Sequence, residues 1–180
     1  MPFVEKELGA QKIDELKTIW QKGTQTIPED ATCEEKYNIA YGTWVQKYAS
    51  AFNFVSDNLG ENGVEKFKDT AVEALKRKSY SPALFLLKLM RAISPQTAFR
   101  AFAKQTSYQM QVFGPLSVSE LSGNRLVVHS HCKVLDYADS EVLCTVGCQK
   151  AFPVALKEVF NVKVTFEPKG KSCTATFAPL

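Results

Sequence analysis

The sequence has no apolar run long enough to cross a bilayer. Its longest, from Pro82 to Ile93, is interrupted by Lys88 and Arg91 and falls far short of the ~20 apolar residues a spanning helix needs. The opening MPFVEKELGAQK does not resemble a signal peptide, because charges run through it and no apolar stretch leads to small residues. Both absences point to a cytoplasmic protein without a membrane partner. Proline and glycine are sparse, at 8 and 9 of 180 residues, which excludes collagen-like and low-complexity chains. Charge of one sign is not in excess either. The formal net charge is +3, and the one basic run, Lys76-Arg77-Lys78, falls where a helix should end, so its cations complement the helix dipole. No nucleic-acid partner is expected. Also missing are a P-loop and a glycine-rich dinucleotide fingerprint.

What remains is a globular composition, 45% hydrophobic and 23% charged. The length suits one domain, residues 1–180, with a sizeable core. The hydrophobic period changes along it: helical over residues 1–107, alternating over residues 108–180. In the first part Ile13, Leu16 and Trp20 mark an amphipathic helix. At Thr32 the string T-C-E-E offers a capping box, with Glu35 reaching back. Tyr37, Tyr41, Trp44, Tyr48, Phe52, Val55 and Leu59 then form one stripe, stopped at Asn58-Leu59-Gly60. Val64, Phe67, Ala71 and Leu75 mark a third helix. Ser81-Pro82 and Ser94-Pro95 each pair a capping serine with a proline at the first helical position. ALFLLKLMRAI, after the first of these, is apolar almost all round and is expected to be buried on most sides.

The second part reads as two hairpins around a helix. Ser122-Gly123-Asn124 turns into RLVVHSHCKVL, a helix follows from about Cys144 to Phe160, and Lys169-Gly170-Lys171 joins NVKVTFEP to SCTATF. The expected fold is α+β, a helical N-terminal half packed on a roughly four-stranded antiparallel sheet with ββαββ order.

Four of the five cysteines fall in this second part. Alternation from Arg125 places Leu126, Val128 and Cys132 on an inward face, with His129 and His131 outward among charges. The same rule turns Cys173 inward with Ala175 and Phe177. Cys144 and Cys148 are four apart and share a helix face. Four thiols thus converge on one layer. A reducing cytoplasm argues against disulfides, which leaves small buried residues, a redox centre or ligands of a metal such as zinc, or catalytic thiols.

The helix opening CTVGCQKAFPVALKEVF and the ending VTFEPKGKSCTATF resemble the 4-vinyl reductase-like domain superfamily, and within it the L-2-amino-thiazoline-4-carboxylate hydrolase-like proteins. The resemblance implies a homodimer that binds a small hydrophobic or aromatic molecule. It also implies a zinc site, with Cys148, Glu167 and Cys173 matching the ligand set. Pro168 and Lys169 stand where a further cysteine would, so Cys144 or Cys132 would complete the shell.

Two functions follow. One is a binding module whose apolar cavity is lined by Phe85, Met90, Phe99, Phe102 and Tyr108. The other is a hydrolase opening cyclic amidine C–N bonds, which needs an activated water and an anchor for a carboxylate. Arg100, Arg125, Glu167 and the thiols are available for that chemistry, and no spacing ties them together.

Overall fold

A computed structural model describes residues 2–78 and 82–180. Six α-helices are present among these residues: α1 (Pro2–Leu8), α2 (Ala10–Gly23), α3 (Cys33–Lys78), α4 (Pro82–Ile93), α5 (Pro95–Gln109) and α6 (Phe152–Phe160). The strands are β1 (Leu116–Leu121), β2 (Asn124–His129), β3 (Val162–Lys169) and β4 (Ser172–Pro179). The fold is therefore α+β, with all four strands in the C-terminal half. No helix among the described residues is long and apolar enough to cross a membrane.

Local signals determine where these elements begin and end. At the start of α3 the Thr32 N–H donates to Glu35 Oε2 at 2.8 Å, and the Glu35 N–H donates back to Thr32 Oγ1 at 3.3 Å. Two otherwise orphaned donors are thereby satisfied. The hydrogen bonds also hold the Glu35 carboxyl below its ordinary range. Gly60 interrupts α3 with φ 63° and ψ −166°, where the stripe was expected to stop and where only glycine avoids a steric penalty. Ser94 caps α5 by accepting from the Thr97 N–H, with Pro95 opening the helix. Ser81, the other expected cap, lies outside the described residues.

The chain forms two compact units. The first comprises Met1–Thr70 and Val134–Thr145, the second Ala71–Lys133 and Val146–Leu180. In the first unit, Val4, Leu16, Val45 and Val55 are fully buried. The Phe67 ring lies 5.2 Å from Phe3 and 4.9 Å from Phe52. Tyr37, Trp44 and Tyr48, by contrast, leave the aromatic stripe of α3 exposed.

The second unit is the sheet and its helices. Strand order is β1-β2-β4-β3, antiparallel throughout. The β1–β2 hairpin turns on Ser122 and Gly123, both at positive φ, as a type I′ turn requires. One sheet face carries Val127, Val164, Ala175 and Phe177, packed against Phe99, Phe102 and Ala103 of α5 and Leu156 of α6. Helices thus cover this face.

Three expectations are corrected. On β2 it is Val127 and His129 that are buried, whereas Val128 is exposed and Leu126 half-buried. The register is one residue from the expected one, and such a slip exchanges the two faces of a strand. On α4, Leu86, Leu89 and Ile93 are exposed, so that helix is not buried on most sides. The helix expected from Cys144 begins as a π-helix, Leu143–Ala151, before α6 takes over. Pro153 has no N–H to return to Gln149, and its ring would crowd that carbonyl in regular α geometry. The widened turns just ahead of it accommodate the proline.

Candidate functional site

The first unit contains a cleft of about 380 Å³, lined by α2, α3 and residues 138–139. Its size falls within the ~300–1,000 Å³ typical of small-molecule sites. On α3 the lining follows one helical row, Gln46, Ser50, Asn53 and Asp57, because residues three and four apart share a face. Ala49 and Phe54 flank that row, and Ile19, Trp20 and Gly23 of α2 form the opposite wall.

Hydrogen bonds fix both walls. The Trp20 indole N–H donates to the Lys47 carbonyl at 3.0 Å and lies 3.1 Å from Ser50 Oγ, which itself donates to the Lys47 carbonyl at 3.1 Å. Asn53 Nδ2 donates to the Asp139 carbonyl at 2.9 Å, and Asp139 is left-handed, at φ 57°. The Ser140 hydroxyl, fully buried, donates to the Val134 carbonyl at 2.6 Å and stabilises the turn behind it. Apolar rings thus face convergent polar groups, the composition expected of a ligand pocket.

A second recess of about 200 Å³ adjoins it through the shared Gln46, with Asn38, Gly42 and Tyr137 in its lining. A Cβ on Gly42 would stand 2.7 Å from Tyr137 Cε1, so glycine is what lets this ring lie against α3. Burial pushes the Tyr137 phenol upward, and the negative charge of Asp136 adds to the effect.

The residues expected to line an apolar cavity have different surroundings. Phe99 and Phe102 belong to the core of the second unit, with Phe102 4.5 Å from the Phe160 ring. The recess they border measures about 30 Å³, room for a water or two. Tyr108 is 68% exposed. It lies nine positions, two and a half helical turns, beyond Phe99 and so points to the opposite side of α5. Met90 is half-buried, and the Phe85 side chain lies outside the described residues.

The expected metal ligands come from several elements. Cys173 pairs with Pro168 across the β3–β4 ladder, while Glu167 pairs with Thr174. Glu167 is therefore on the opposite sheet face from Cys173. Cys132 lies beyond the end of β2, its N–H donating to the Lys171 carbonyl at 2.7 Å. Cys144 and Cys148 occur in the π-helix, the former in the first unit and the latter in the second. Among the described residues no three His, Cys, Asp or Glu side chains are placed to hold a metal ion. Of the arginines, Arg100 is exposed. Arg125 is engaged, donating through Nε to Ser107 Oγ at 2.7 Å and pairing with Glu120 at 3.2 Å.

His129, expected among exposed charges, is instead 3% exposed and directly across from Cys173. Neither ring nitrogen has a hydrogen-bond partner among the described residues. The Phe113 ring meets it edge-on at 6.5 Å. Burial lowers the imidazole pKa, and the nearby Gly114 backbone partly opposes this without reaching hydrogen-bond geometry. None of the three recesses opens onto His129.

In the sequence the apolar stripe of α3 is a stronger pattern than the polar row beside it, which lines the cleft. Gln46, Ser50, Asn53 and Asp57 at helical spacing were the available signal. No family model matches the chain, and no curated protein is significantly similar to it.

Proposed function

We propose that this protein binds a small amphipathic molecule in the cleft lined by α2, α3 and residues 138–139. The observation that carries this reading is the pairing of a 380 Å³ volume with walls of two kinds. Ile19, Trp20 and Phe54 supply apolar surface, which gives affinity in proportion to the area removed from water. Gln46, Ser50 and Asp57 supply the few directed polar contacts that orient a ligand. The scaffold is held before any ligand arrives, by the Trp20–Lys47 and Asn53–Asp139 hydrogen bonds. Such preorganisation lowers the ordering cost of binding.

The test uses Trp20 as its reporter. The chain has two tryptophans, so Trp44→Phe leaves Trp20 as the only source of indole emission. A library of small amphipathic compounds is titrated against that variant while native mass spectrometry records stoichiometry. Saturable changes in Trp20 emission at one molecule per chain support the reading. A library without any such compound removes its basis.

A further inference from the structure

The fixed charges of the cleft are unequally distributed. Asp57 and Asp139 are the acidic residues of the lining and Lys47 its one basic residue. Asp57 is one helical turn beyond Asn53, and Asn53 is bonded to the backbone of Asp139. Both acidic residues are therefore neighbours of Asn53. Lys47 is ten residues before Asp57, about 15 Å away along the helix axis, too far to neutralise the Asp57 carboxylate in solvent. Phe54 stands three residues before Asp57 and so on the same side of the helix. An ammonium already lies near this ring: Lys12 Nζ is 5.9 Å from its centroid, while Lys12 itself is paired with Glu15 at 2.6 Å.

We infer that the cleft takes an organic cation, an apolar or aromatic body carrying a protonated amine. The inference rests on the binding reading given above. The body lies between Trp20 and Phe54, and the ammonium points toward Asp57 and Asp139. Carboxylates give an ammonium charge-assisted hydrogen bonds, stronger than those to a neutral group, and an aromatic face adds cation–π attraction. An anion of the same shape would meet two like charges.

Three probes of similar size separate the alternatives: phenethylammonium, 2-phenylethanol and 3-phenylpropanoate, titrated into the Trp44→Phe protein by Trp20 emission and calorimetry. Phenethylammonium is expected to bind about tenfold tighter than 2-phenylethanol, with 3-phenylpropanoate weakest. Asp57→Asn and Asp139→Asn should each remove several-fold of the affinity for the amine and leave the alcohol unchanged. Both positions are exposed, so folding is preserved. Equal affinity for amine and alcohol, or a preference for the carboxylate, overturns the cation inference and leaves the cleft standing. No binding by any of the three overturns both.

Discussion

His129 on β2 and Cys173 on β4 face each other across the sheet, on the side that carries Val127 and Phe177. An imidazole with both nitrogens unpartnered at such a position makes the folded state costlier to protonate than the unfolded one.

The consequence for acid stability has a definite sign. The unfolded chain takes up a proton on this ring near its ordinary value of 6.5, whereas the folded chain holds a lowered value. Below about pH 6.5 the unfolded state therefore binds more protons, and stability falls as pH drops toward the folded value. In His129→Leu that part of the pH dependence should vanish. At pH 7 the same variant should gain about 1–2 kcal/mol, since buried unpaired polar atoms are removed and apolar area is added. Urea unfolding at pH 5, 6 and 7 checks both. A less stable variant with an unchanged slope would mean that His129 makes a favourable contact.

The cap on α3 gives a prediction in a lower pH window. Thr32→Ala should cost about 1 kcal/mol, as loss of an N-cap hydroxyl usually does. The Glu35 carboxyl is held below its ordinary 4.5 by its bonds to Thr32. Its contribution is complete above that value and is lost as pH falls through the lower folded one. Melting curves between pH 2 and 6 should show this slope in the parent and a flatter one in Glu35→Gln.

Trp20 joins two helices as well as lining the cleft. Trp20→Phe removes the donor to the Lys47 carbonyl but keeps most of the ring, and it should lower stability by about 1 kcal/mol. Chemical denaturation provides the value. A cost much larger than this would assign the residue a packing role beyond the single hydrogen bond.

Phe99 and Phe102 distinguish core from pocket. Either residue changed to alanine should destabilise by about 3–5 kcal/mol, the usual cost for a buried phenylalanine. Binding in the cleft, measured on whatever remains folded, should be unaffected. A stable Phe102→Ala protein that loses its ligand would return the site to α5.

Features set by neighbouring residues were legible in the sequence. The Thr32–Glu35 cap, the break at Gly60, Ser94 before Pro95 and both hairpin turns each depend on a few adjacent positions, whose chemistry admits few alternatives. The β2 register was not legible. Val127 and Val128 are adjacent, so both faces offered an apolar choice, and a buried histidine beside a buried valine contradicted the polar-outward rule. The same alternation does not reach Cys132, because the strand ends at His129. The cleft was hidden for another reason. One of its edges, at Asp139, meets Asn53 from 86 residues away, and no periodicity connects positions that distant.

That separation has a consequence for how the protein is made. Neither compact unit is a continuous stretch of chain, since Val134–Thr145 belongs with Met1–Thr70. At about 5–20 residues per second, a ribosome delivers Asp139 roughly 4–17 s after Asn53. Within that interval the rest of α3, as far as Lys78, is synthesised before the turn that completes the unit. The cleft is accordingly among the last parts of its unit to be completed during translation, after both strands of the first hairpin have been made.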